Sequence, residues 1–247
     1  MLAVVLVSLV GAHLYYSRLN SRVDPRIKPA RALYEDYNKL AESGDFDAVL
    51  NLLDTVKNIY NNYSHYRNSF ETGVIANNQA ALYLTIAMHR DSLPEASKVL
   101  EDIPEDSLIM MAEKEVCHAL YIYKQWKNKF ADKDRQQWHK MIQDDFSNVL
   151  QDYPEERLNT FLDKRLDEFE ETRTEIDRRL SVSHNNLGMI YRYRQNYDSA
   201  LVQYNRAIEL WGENMTARNN LNVLLNRPKE KRSMLRKLFP PPKDKSE

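Results

Sequence analysis

Scarcity of glycine constrains this chain most: five glycines serve 247 residues, and no Asn-Gly or Asp-Gly pair occurs. Tight β-hairpin turns need the positive backbone angles that such residues supply, so a sheet protein of this length would use many more. Helices need few. The apolar residues agree, because Phe46, Val49, Leu50, Leu53, Val56 and Ile59 recur at spacings of three and four, which stacks them on one helical face. The expected fold class is therefore all-α, with successive helices paired antiparallel, since an amphipathic helix cannot bury its stripe alone.

Charge and cysteine content narrow the function. The formal net charge is −1, which gives the whole chain no field for nucleic acid. Cys117 is the only cysteine, so there is no internal disulfide and no Cys-pair zinc site. A buried, inert thiol is expected there, because free cysteine is among the most buried residue types.

Residues 1–17 form an uncharged run rich in Leu, Val and Ala. As a helix, Leu2 to Tyr16 would reach roughly 22 Å, short of a hydrocarbon core of roughly 30 Å, with Arg18 and Arg22 able to snorkel. A transmembrane or signal-anchor helix is expected, because no Lys or Arg precedes the run. A cleaved signal peptide is the rival reading. Arg18, Arg22, Arg26, Lys28 and Arg31 follow the segment, which places the body of a single-pass membrane protein on the cytoplasmic side. Residues 18–29, with Pro25 and Pro29, read as a stiff basic linker.

From Ala30 to Asn226 the pattern stays helical. Leu33, Tyr37, Leu40 and Ala41 make one stripe, Gly44 breaks it, and Asp45 is placed to cap the next helix. A second pair is expected from Ala80, Tyr83, Leu84 and Ala87 on one helix and Leu93, Ala96, Val99 and Leu100 on the other, with Pro94 in its first turn. Helices follow over residues 106–129 and 132–152. Pro154 then opens a charged stretch to Leu180. Its seam of Leu158, Phe161, Leu162, Leu166, Phe169, Ile176 and Leu180 fits either a solenoid helix or a short coiled coil. Lys164, Arg165, Arg173, Arg178 and Arg179 alternate there with acids, as on a solvated, ion-paired helix face.

The most specific pattern lies between Ser183 and Gly212. Leu187-Gly188 is followed by Tyr191, then by Ala200, Tyr204 and Ala207 at helical spacings. This resembles the tetratricopeptide repeat, whose signature is W-x2-L-G-x2-Y, then A-x3-F, then P. His184 stands for the Trp, Tyr204 for the Phe and Gly212 for the Pro. Small Gly188 and Ala200 suit a close helix crossing. Replacing Gly188 by Leu is accordingly expected to destabilise, while the resemblance implies that alanine there is neutral or slightly stabilising. Degenerate matches fall on the two earlier pairs, so the resemblance implies a tetratricopeptide-like helical-hairpin solenoid over residues 30–226, with a cap helix from Met215. It implies a concave surface that binds a partner protein, offering Asn78, Thr85 and His89 from one pair, Asn185, Met189 and Arg192 from the last, and Asn219 and Asn226 from the cap.

No catalytic motif is present: P-loop, G-x-S-x-G, H-E-x-x-H and dinucleotide fingerprints are all missing. Glu115 and His118 make half of a di-iron helix motif without a second copy. No catalytic residue, metal, cofactor or small-molecule substrate is expected. The expectation is a membrane-tethered protein–protein scaffold, with a structural subunit of an envelope or motor complex as the alternative, exported if the first segment is cleaved. Residues 227–247 form a basic, proline-containing tail. It suits an anionic membrane surface, a partner, or a disordered solubilising end.

Overall fold

The computed structural model describes residues 22–92, 100 and 102–231. Helix accounts for 78% of them, and no strand occurs among them. Among the described residues nine α-helices run in order: α1 (Lys28–Tyr34), α2 (Tyr37–Ser43), α3 (Phe46–Asn61), α4 (Phe70–His89), α5 (Glu105–Phe130), α6 (Arg135–Val149), α7 (Glu155–Tyr193), α8 (Tyr197–Leu210) and α9 (Met215–Leu224). The chain divides into two compact units, Met1–Arg179 and Leu180–Glu247.

Local chemistry sets the helix ends of the first unit. Gly44 closes α2 at φ 75°, a left-handed angle that costs glycine nothing. Asp45 then accepts a hydrogen bond from Ala48 N and starts α3, as its position suggests. Asp134 and Gln137 form a reciprocal capping box at α6. The stripe of α3 buries Val49, Leu50, Leu53 and Val56. Its neighbour α4 packs chiefly on α5. At that crossing Gly73 lies beneath Tyr123, so close that a Cβ on Gly73 would stand 2.6 Å from the ring.

The centre of the first unit is ionic as well as apolar. Arg165 is buried, donates to Glu71 at 2.5 Å and to Glu168 at 3.0 Å, and stacks over Tyr66 and Phe169. Arg31 reaches Glu168 at 2.6 Å. Arg26 holds Asp24 at 2.7 Å and Asp145 at 2.8 Å, with its guanidinium over Phe146. Burial alone would push the Glu71 carboxyl up, but Arg165 and Arg31 draw it down to about 2. Burial, Arg165 and Arg26 lower His65 to about 3, so its ring stays neutral and accepts from Arg165 Nε at 3.3 Å.

Several sequence expectations change here. Residues 22–27, read as part of a basic linker, belong to the packed body, with Ile27 fully buried and Asp24 and Arg26 nearly so. A proline-flanked basic stretch looks like a spacer until its carboxylate partners are known. The first predicted helix is broken at Glu35-Asp36, and Leu33 is exposed while Ala30 is buried. The seam from Phe161 to Leu180 is not a coiled-coil surface for a second chain. Phe169 packs against Trp126, Phe130 and Trp138 of this chain, and α7 continues unbroken to Tyr193. Arg165, assigned to a solvated face, is on the buried one. Cys117 is exposed rather than buried, because Val116, Ala119 and Leu120 take the inward positions of α5.

The single-pass membrane localisation is also corrected: among the described residues no helix is long and apolar enough to cross a membrane. Helices α5 and α7 have the length but carry charge throughout. In α4 the apolar run is broken by Asn77, Asn78 and Gln79, and Gln79 bonds Asp54 and Lys57. The anchor or signal segment at 1–17 lies outside the described residues. So do Leu93, Pro94, Ala96 and Val99 of the second expected pair, and residues 232–247 of the tail.

Candidate partner-binding site

The second unit is built from the end of α7, all of α8 and α9. Helix α7 stops with Gln195 in the left-handed conformation at φ 59°. Asn196 N bonds Tyr191 O at 2.9 Å and Gln195 N bonds Arg192 O at 3.0 Å, which satisfies the last carbonyls. Asn196 then caps α8 through Ser199 N, and Asn214 caps α9 through Ala217 N. Two short turns thus fold three helical segments with their orphan backbone groups satisfied by asparagines.

The hairpin crosses tightly. Ala200, Tyr204 and Ala207 are fully buried, Leu187 and Gly188 are buried, and Tyr191 is half-buried. A Cβ on Gly188 would lie 2.6 and 2.7 Å from ring carbons of Tyr204, distances no side chain tolerates. The expectation that Gly188→Ala is neutral is therefore revised. The ring of Tyr204 has no exposed space to retreat into, so even a methyl group must displace it. Burial pushes the Tyr204 hydroxyl up to about 12, against a smaller opposing effect of Arg192. Polar bonds fasten the same hairpin: Ser181 Oγ donates to Ala207 O at 2.6 Å, and Asn214 Nδ2 donates to Ser181 Oγ at 2.9 Å. His184 Nδ1 lies 2.7 Å from Gln203 Oε1.

Most of the expected groove residues are engaged within their own unit, Met189 among them through Asn185 Nδ2, which donates to its sulfur at 3.7 Å. In the first unit, Asn78 Nδ2 donates to Tyr34 Oη at 2.7 Å, Thr85 Oγ1 donates to Ala81 O, and His89 is exposed at the end of α4. In the second, Asn185 is buried and accepts from Asn220 Nδ2 at 2.9 Å. Asn219 is bonded both ways to the backbone of Glu230, and Arg218 pairs with the Glu230 carboxylate. The described start of the tail is thus pinned to α9. Asn226 takes a left-handed angle, φ 54°, and ends α9 with Arg227 N on Asn222 O. Met189 and Arg192 are half-exposed on the final turns of α7. Elsewhere Glu115 pairs with Lys57 at 2.7 Å, so that carboxylate is occupied.

Residues 181–214 match the family model described as Tetratricopeptide repeat. The chain carries a tetratricopeptide repeat. The match covers that hairpin and the turn after it, and not the helix pairs of the first unit. No curated protein and no solved structure matches the chain.

Proposed function

We propose that the chain is a non-enzymatic interaction module whose repeat hairpin at residues 181–214 receives a segment of a partner protein. The observation that carries this reading is the repeat itself, matched in sequence and packed around Gly188 and Tyr204. In arrays of such repeats the first helix of each hairpin lines the binding surface. Here that helix is the end of α7, and Met189 and Arg192 are its half-exposed side chains. A methionine adapts to varied apolar contacts, and an arginine forks onto a carboxylate or backbone carbonyls. Asn185 and Asn219 act instead as internal fasteners that hold this surface in shape.

The experiment is site-specific photo-crosslinking in the native host. A crosslinker at position 189 or 192 should capture one and the same protein, and Arg192→Glu should abolish capture from position 189. The same group at Val202, exposed on α8, should capture nothing specific. Equal adducts from positions 192 and 202, or none from either 189 or 192, contradict the proposal.

A further inference from the structure

After Asn226 the chain turns back along α9 instead of leaving it. Arg227 N donates to Asn222 O at 2.7 Å, and Glu230 is then held from Asn219 and Arg218. Residues 227–231 run outside any helix, with Arg227, Pro228, Lys229 and Lys231 exposed and Glu230 half-exposed. Among the described residues, the side-chain bonds from α9 to this strap all meet Glu230.

The two grips on Glu230 differ in what they select. Glu230 N donates to Asn219 Oδ1 at 2.6 Å, and Asn219 Nδ2 donates to Glu230 O at 3.2 Å. Those are the two bonds that an antiparallel strand neighbour makes to one residue, and they accept any side chain. Arg218 supplies the choice. Its Nε lies 3.3 Å from one carboxylate oxygen of Glu230 and its Nη2 lies 2.5 Å from the other, a fork that suits a carboxylate.

The place of this clasp ties it to the partner surface. The repeat matched at 181–214 spans one period, so Asn219 stands on α9 where Asn185 stands on α7, 34 residues earlier. In the same register Val223, exposed on α9, follows Met189, and Asn226 follows Arg192. Asn220 Nδ2 donates to Asn185 Oδ1 and joins the two helices there. The strap therefore lies on the first-helix surface that such repeats offer a partner. It is lightly held, because an exposed ion pair contributes little and none of its side chains is buried.

We propose that residues 227–231 are a displaceable occupant of that surface. The partner segment that replaces them is extended, sets its backbone on Asn219 and places a carboxylate side chain on Arg218. This inference rests on the reading of the repeat as a partner-binding module, and adds the partner's chemistry and a tail that must leave first.

The test uses the isotope-labelled full chain and a capped peptide copying residues 226–231. Nuclear magnetic resonance follows the Asn219 side-chain amide, which Asn219→Ala assigns. Glu230→Pro opens the strap by removing both the carboxylate and the backbone N–H, and circular dichroism checks that the helices remain. The peptide should shift the Asn219 amide saturably in the Glu230→Pro chain and bind the native chain at least about tenfold more weakly. A peptide with glutamine in place of its glutamate should lose about tenfold in affinity for the opened chain, the loss of one charge-assisted fork. In the host, a photo-crosslinker at position 189 should give severalfold more of the same partner adduct in the Glu230→Pro chain. Equal peptide affinity for the two chains, no saturable shift in the opened one, or indifference to the glutamine peptide overturns the clasp. An adduct yield unchanged by Glu230→Pro overturns displacement. No adduct from either chain, with the peptide still binding, contradicts the module reading instead, and the clasp then stands on the titration.

Discussion

The crossing of α4 with α5 and the crossing of α7 with α8 use one device in two settings. In each, a glycine on the earlier helix lies directly beneath a tyrosine ring on the later one, Gly73 under Tyr123 and Gly188 under Tyr204. In each, the tyrosine hydroxyl is buried without a hydrogen-bond partner among the described residues. The settings differ in connection. Gly188 meets its tyrosine across the short turn at residues 194–196, whereas residues 90–104 separate the helices that carry Gly73 and Tyr123. Close helix packing depends on what touches, but repeat recognition depends on sequence spacing. The hairpin with the short turn is therefore visible to a family model, and the other is not. Their surroundings differ too, since amide and hydroxyl bonds fasten the second unit while buried ion pairs fasten the first.

The sharpest break in that comparison should come from the ion pairs. Arg165→Met leaves Glu71 and Glu168 facing each other in a buried site, which should cost about 3–5 kcal/mol. Urea unfolding followed by tryptophan fluorescence measures it. Arg206→Met, which removes an exposed pair with Glu209 in the second unit, should stay within about 1 kcal/mol. Comparable losses at the two positions would mean that the buried network carries no special weight.

Acid sharpens the contrast next. His65 titrates near 6.5 when unfolded but only near 3 when folded, so the unfolded chain binds the extra proton between those values. Stability from this group is complete above about pH 6.5 and falls as the pH drops toward 3. Between pH 6.5 and 5 the loss should be on the order of 2 kcal/mol. Glu71 adds its own loss further down, from its ordinary carboxylate range to about 2. His65→Gln should flatten the upper part of the profile, and an unchanged slope would remove His65 from the account.

Glycine substitution gives a smaller effect. Gly73→Ala and Gly188→Ala each gain roughly 0.5–1 kcal/mol of helix propensity and lose roughly 1–3 kcal/mol to overpacking. A net loss of about 1 kcal/mol is expected at both positions by thermal unfolding. A gain at Gly73 alone would show that the device is not shared.

The sequence made the helices legible because their signals are local: apolar spacing, Gly44 followed by capping Asp45, and the Leu187-Gly188 to Ala207 pattern. It did not disclose which long-range partner each polar group takes. Arg26 reads as linker charge until Asp145 lies opposite it, and Arg165 reads as solvated until Glu71 does. Asn185 and Asn219 read as groove lining because an asparagine side chain looks the same in a clasp or a binding surface.

A double-mutant cycle at Gly188 and Tyr204 tests the shared crossing most directly. Tyr204→Leu removes the ring carbons that a Cβ at position 188 would strike. Gly188→Ala should then lower stability by about 1 kcal/mol in the native background and raise it by about 0.5–1 kcal/mol in the Tyr204→Leu background, where only helix propensity remains. If alanine has the same effect in both backgrounds, the two residues do not meet and the close crossing is not what holds the repeat together.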